Sequence, residues 1–124
     1  MVFTFKAIDH VQLAAPTGSE DAARRFFGDI LGFEEIEKPA ELKKRGGAWF
    51  RYGNCQIHIG IEEPFVPARK AHPAFEIANI EGLKQHLTAS GVQFVEDDKL
   101  PGANRIYLED PFGNRIELLE WVNS

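Results

Sequence analysis

The chain repeats one pattern twice: a histidine opens an apolar strand, a helix follows, and a later strand carries a histidine or a glutamate. The first copy runs from His10-Val-Gln-Leu-Ala to Gln56-Ile-His58-Ile, and the second from His72-Pro-Ala-Phe-Glu to Arg115-Ile-Glu117-Leu. The openings lie 62 residues apart (72 − 10) and the closings 59 (117 − 58). A period of that length restricts the fold to two copies of one supersecondary unit, and it sets four possible metal ligands at nearly equivalent places.

Within each copy the elements follow from periodicity. Residues 8–15 alternate, with Val11 and Leu13 on one face and His10 and Gln12 on the other, as in a half-buried strand. Thr17-Gly-Ser-Glu20 offers a capping box for a helix that carries Ala23, Phe26, Phe27, Ile30 and Leu31 inward and stops at Gly32. Residues 33–37 read as a strand and 39–47 as a loop. Ala48–Tyr52 and Cys55–Ile61 then form a hairpin about Gly53-Asn54, leaving His58 opposite the aliphatic face of Ile57, Ile59 and Ile61. After a connector at 62–71 the order restarts. Residues 72–78 form a strand, Asn79 caps a helix with Ile80, Leu83 and Leu87 inward, and Gly91 ends it. Strands at 92–96 and 105–109 follow, then the turn Asp110-Pro-Phe-Gly-Asn114 and a last strand, 115–121, with Ile116 and Leu118 facing the core and Glu117 away from it.

Each half therefore reads strand, helix, strand, strand, strand. The expected fold is α+β: eight strands in an open, barrel-like sheet, helices outside, and the non-aliphatic faces lining a cleft. The expected organisation is a single domain, 1–124, with module one at about 5–62, the connector at 62–71 and module two at about 72–122. One mismatch stands out. The turn glycine precedes His58 by five residues (58 − 53) but Glu117 by four (117 − 113), which calls for turns that differ by one residue.

A chain of 124 residues can close a core without metal or disulfide staples, so a bound metal would serve reaction rather than folding. The 44% hydrophobic and 27% charged fractions exclude disordered and fibrous classes. A net charge of −5, with no basic block longer than Lys43-Lys44-Arg45, argues against nucleic acid as a partner. The segment from Met1 to Lys6 lacks the features of a signal peptide, and no apolar run approaches the roughly 20 residues that span a bilayer. Cys55 is the only cysteine, which excludes an intrachain disulfide and fits a reducing cytoplasm; it reads as a small core residue at a strand start.

Two imidazoles and a carboxylate, from His10, His72 and Glu117, form a ligand set that leaves coordination sites open on a divalent ion. The set suits Zn²⁺, Ni²⁺, Fe²⁺, Mn²⁺ or Co²⁺ over Ca²⁺ or Mg²⁺. His58, matching Glu117 in the other copy, is a fourth ligand, an occasional one, or a supporting partner. His86 sits on the polar side of its helix and reads as a solvated surface residue. By alternation Trp49 and Arg51, and Arg105 and Tyr107, are candidates for substrate contact. The arginines would either fork onto a substrate anion or pair with Glu76 and Glu109. Lys43, Lys44, Arg45, Arg69 and Lys70 form either a basic rim or a solvated loop.

The segments Asp9-His10-Val-Gln-Leu, Phe27-Gly-Asp-Ile-Leu-Gly-Phe33, Ala71-His72-Pro-Ala-Phe75 and Asp110-Pro-Phe-Gly-Asn-Arg-Ile-Glu117 resemble the vicinal oxygen chelate superfamily. That group includes glyoxalase I, extradiol dioxygenases, fosfomycin resistance enzymes and bleomycin resistance proteins. The resemblance implies that His10, His72 and Glu117 are metal ligands, with His58 standing where glyoxalase I has a carboxylate. It also implies that Glu117 moves a proton between neighbouring carbons, with His58 the alternative base, and that the chain pairs as a homodimer. Three functions are compatible with it. They are a metal-dependent lyase or isomerase acting on a small molecule with adjacent oxygens, an extradiol-type dioxygenase, and a metal-free antibiotic-binding protein. Retention of all three ligands disfavours the last.

Overall fold

The computed structural model describes residues 2–122. Met1, at the head of the segment read for a targeting signal, and Asn123 and Ser124, at the end of the expected domain, lie outside them. The chain divides into two compact units, 1–65 and 66–124, with the boundary inside the connector. Each unit holds its own four-stranded sheet, and the architecture is α+β.

The first unit contains β1 (Val11–Ala15), α1 (Glu20–Ala23, continued as a π-helix over Arg24–Ile30), β2 (Glu34–Ile36), α2 (Ala40–Lys43), β3 (Ala48–Tyr52) and β4 (Cys55–Ile61). Its sheet order is β1-β4-β3-β2, with β1 parallel to β4 and the other pairs antiparallel. The second contains β5 (Ala74–Glu76), α3 (Ile80–Ala89), β6 (Val95–Asp97), β7 (Ala103–Glu109) and β8 (Arg115–Trp121), in the matching order β5-β8-β7-β6. The repeat therefore holds at the level of topology. It also holds at the level of register. Gln12, two residues past His10, pairs with His58, which pairs with Trp49; Ala74, two past His72, pairs with Glu117, which pairs with Tyr107.

The hairpin of the first unit closes Tyr52 onto Cys55 around Gly53-Asn54, with Gly53 at φ +56°. In the second unit five residues separate the paired Glu109 and Arg115. From Trp49 to His58 is nine residues and from Tyr107 to Glu117 ten, so the longer turn absorbs the mismatch seen in sequence. Asp110 organises that turn. Its buried carboxylate accepts from the N–H groups of Phe112 and Asn114 and from the Asn114 side-chain amide, at 2.9, 2.9 and 2.8 Å.

The alternating strands bury one face each. Phe27, Phe50, Ile57 and Ile59 are fully buried in the first unit, and Ile80, Leu87, Ile106 and Ile116 in the second. Removing any of the larger side chains would cost about 2–5 kcal/mol through lost transfer energy and a cavity. Helix α3 starts as the sequence suggests: the Asn79 side chain accepts from the Gly82 N–H at 3.1 Å, and Asn79 itself takes φ +63°. Glu120 adds a second cap, accepting from Asn79 N and Ile80 N at 2.9 and 3.0 Å.

Several expectations need correction. The capping box at 17–20 does not form, because the Glu20 carboxylate accepts instead from Gly47 N at 2.8 Å and Ser19 becomes the N-cap. The helix widens after Ala23, with Leu31 N–H donating to Phe26 O five residues back, a register that periodicity of 3.6 does not anticipate. The loop at 39–47 contains the short α2. Cys55 is exposed, not in the core, because it pairs with Tyr52 at the very end of the hairpin. Strands β1, β5 and β6 are shorter than or offset from their expected ranges, and Ile8 and Phe5 are solvent-exposed. No helix among the described residues is long and apolar enough to cross a membrane.

Candidate functional site

In the first unit the centre of β4 carries His58, which is buried although it lies on the non-aliphatic face. Its ring is stacked between two others. His10 lies at a centroid distance of 4.0 Å with an interplanar angle of 13°, and Trp49 at 3.9 Å and 7°. The ladder explains the sandwich. Trp49 is His58's direct cross-strand partner, and His10 shares a face with Gln12, its partner on the other side. His58 Nε2 meets Gln56 Oε1 at 3.1 Å, and His10 Nδ1 meets Asp9 Oδ1 at 2.9 Å. Burial lowers the His58 pKa below the ordinary histidine value, and the neighbouring His10 lowers it further while Asp9 opposes. Both effects favour the neutral form of His58, which has a lone pair to offer.

In the second unit β8 places Glu117, also buried, beside His72, whose Nε2 lies 2.8 Å from Glu117 Oε1. His72 Nδ1 donates to the Lys70 carbonyl at 2.8 Å. The other carboxylate oxygen, Oε2, lies 3.6 Å from Arg105 Nη1, and Arg105 Nη2 lies 3.2 Å from Asp97 Oδ1. Tyr107 sits edge-on to His72 at 5.5 Å, with the Arg115 guanidinium 4.1 Å and that of Arg105 5.3 Å from its ring centre. In the first unit Arg51 pairs with Glu34 at 3.8 Å. The arginines thus meet Glu34, Asp97 and Glu117, whereas the sequence had suggested Glu76 and Glu109.

The eight candidate residues are therefore gathered in part. His10, His58 and Trp49 form one cluster, and His72, Glu117, Arg105 and Tyr107 another. Within neither unit do three or more His, Cys, Asp or Glu side chains come close enough to hold a metal ion, among the described residues. Sequence reasoning missed Asp9, Asp97 and Arg115. Asp9 adjoins His10 and Arg115 shares Glu117's face, so both were within reach of alternation; Asp97 needed the β6–β7 register.

The donors suit a metal. The Lys70 carbonyl and the Asp9 carboxylate can only accept, so His72 and His10 each carry hydrogen on Nδ1 and are left with an Nε2 lone pair when neutral. Metal-binding histidines are oriented in this way, through a carbonyl or carboxylate on the far nitrogen. Moreover, Nε2 of His72 and Oε1 of Glu117 face each other with lone pairs at 2.8 Å, a contact that requires a proton or a cation between them.

The sequence pattern of the glyoxalase/bleomycin resistance protein/dioxygenase superfamily matches residues 7–118. The chain belongs to that superfamily. A glyoxalase family protein from Bacillus anthracis, of known crystal structure, is 52% identical over 98% of this chain and 99% of that one, with a TM-score of 0.94. The fold is shared more widely. A lactoylglutathione lyase from Agrobacterium tumefaciens is 22% identical, with 93% of each chain covered and a TM-score of 0.72. A genomically encoded fosfomycin resistance protein from Listeria monocytogenes is 21% identical, with 94% of each chain covered and a TM-score of 0.72. None of the curated proteins compared with this superfamily member matches it.

Proposed function

We propose that the chain is a divalent-metal-dependent lyase or isomerase of the glyoxalase type, acting on a small molecule with adjacent oxygens. The observation that carries this is the matched placement of two donor pairs. His58 and Glu117 stand at the same ladder positions of the two units, His10 and His72 each lie two residues before the parallel-strand partner, and both have Nδ1 tied to an acceptor. His10, His72 and Glu117 would hold the ion, with His58 as a further ligand or support. A bound divalent ion supplies Lewis acidity toward the negative charge that develops on substrate oxygens.

The remaining work falls to the chain's own groups. Glu117, buried on β8 beside His72, is the base that takes a proton from one carbon and returns it to its neighbour. His58, whose neutral form is favoured by burial and by His10, is the alternative base. Trp49 and Tyr107 offer ring faces for the substrate, and Arg51 a guanidinium for an anionic group on it. The whole chain acts as one functional domain, assembled as a homodimer.

Elemental analysis of tag-free protein, repeated on His10→Ala and Glu117→Ala, tests the proposal. Wild type is expected to carry about one divalent ion per chain and both variants to lose it. If wild type refuses every divalent ion at micromolar concentration, the proposal fails. Loss of a methylglyoxal–thiol adduct, measured against oxygen uptake with catechols, then separates the isomerase from a dioxygenase.

A further inference from the structure

Arg105 was a candidate for contact with substrate, but its surroundings give it a different task. The side chain is only 17% exposed, and its fork is engaged on both prongs, Nη2 at 3.2 Å from Asp97 Oδ1 and Nη1 at 3.6 Å from Glu117 Oε2. Asp97 is itself fixed, accepting from Lys99 N at 2.8 Å. Its position comes from the ladder, where Asp97 pairs directly with Arg105. The guanidinium packs near the Tyr107 ring, and its buried Nε has no hydrogen-bond partner. A chain of contacts thus runs from Asp97 through Arg105 to one oxygen of Glu117, while the other oxygen faces His72 at 2.8 Å.

We infer that Arg105 is a positioning residue that makes the two oxygens of Glu117 unequal, engaging Oε2 so that Oε1 alone is offered on the His72 side. This rests on the proposal that Glu117 is a metal ligand. A carboxylate free to rotate can chelate a divalent ion through both oxygens and fill a site that substrate needs; one held by a cation at Oε2 binds through one oxygen and leaves that site open. Only a cation anchored from behind can do this without swinging onto the ion's other ligands, and Asp97 supplies the anchor. The planar fork of arginine suits a residue that spans two carboxylates, whereas lysine offers one point of charge.

The test uses Co²⁺ alone as the probe, added to the full-length protein, with visible absorption as the readout, because tetrahedral and five-coordinate Co²⁺ absorb more strongly than six-coordinate Co²⁺. Arg105→Gln is expected to load cobalt but to lose intensity as the second oxygen joins. Arg105→Lys, which keeps the charge but cannot span both carboxylates, is expected to restore only part of it. Asp97→Asn leaves both Arg105 and Glu117 in place and is expected to lose part of the intensity; it decides the matter should Arg105→Gln fail to fold. Spectra of Arg105→Gln and Asp97→Asn superimposable on wild type would overturn the inference and leave the proposed metal centre standing. A wild-type protein that takes up no cobalt would remove both.

Discussion

Replacing Asp110 by alanine probes the turn on which the placement of Glu117 depends. Asp110 is 4% exposed, and its carboxylate accepts three hydrogen bonds, two of them from the buried Asn114. Bonds to a charged acceptor contribute about 1.5–3 kcal/mol each when measured singly. A simple sum would exceed what any single residue usually contributes, and two effects reduce it. Burial pushes the Asp110 carboxyl above its usual range, so the charged form is partly penalised even though Asn114, Phe112 and Gly113 all favour it. The three donors also share one carboxylate, and neighbouring terms do not add. A net loss of about 2–4 kcal/mol follows, a large part of the roughly 5–15 kcal/mol that holds a domain together.

For a chain of this size that loss lowers Tm by about 6–20 °C. Denaturant unfolding followed by far-ultraviolet circular dichroism would show the midpoint moving with little change of slope. Asp110→Asn keeps an acceptor for the backbone N–H groups but sets its own amide against that of Asn114, so about half the loss is expected. An Asp110→Ala protein within about 0.5 kcal/mol of wild type would refute the reasoning, since surface substitutions stay inside that range. An asparagine variant as unstable as the alanine one would show that charge, not the acceptor geometry, holds the turn.

Three further outcomes are expected. Glu120 is held below the usual carboxylate range by Ile80 N and Asn79 N, so its contribution is present above its unfolded value of 4.5 and is lost as pH falls through the lower folded value; the gap in urea midpoint between wild type and Glu120→Gln should close between pH 6 and about pH 3. The folded pKa of His58 is lowered, so below the unfolded value of 6.5 the unfolded chain takes the proton first and stability falls with pH; His58→Gln, measured in metal-free protein, should show a shallower loss between pH 7 and about pH 5. Gly47 has φ +84°, and a Cβ there would lie 2.0 Å from the Ile59 carbonyl oxygen, so Gly47→Ala should be destabilised by on the order of 4 kcal/mol or fail to fold, as thermal melts would show.

Much of this architecture was legible because the strands next to the core alternate cleanly. Ala48–Tyr52 and Cys55–Ile61 were bounded correctly, since a Gly-Asn turn and period-two patterning agree there. Helix α3 announced itself through Asn79 and Gly91. What was not legible has a common cause. Whether Glu20 caps its own helix or accepts from Gly47 depends on which N–H the fold brings near, and Gly47 lies 27 residues away. Cys55 looked like a core residue because composition reports size and polarity, whereas its exposure is set by its place at the tip of a hairpin. For the site, alternation found the strand face that carries Trp49 and His58 in one unit and Tyr107 and Glu117 in the other. It could not find the pairings, since the partners of Arg105 come from β6 and β8.

The one-residue difference between the two hairpins explains why the repeat survives in space although it drifts in sequence. In a sheet, side chains change face at every residue, so a slip of one would turn Glu117 toward the aliphatic core and present Ile116 or Leu118 in its place. The extra residue must therefore be taken up where no ladder constrains it, and the five residues between Glu109 and Arg115 are that place. Asp110 closes those five residues into one defined turn, so that a longer connection still delivers Glu117 opposite Tyr107, as the shorter one delivers His58 opposite Trp49. With backbone position equalised, the neighbours differentiate the two residues. Rings on both faces shield His58 and favour its neutral form, whereas Arg105 and His72 border the Glu117 side chain. One ladder position thus carries a nitrogen donor in one unit and an oxygen donor in the other.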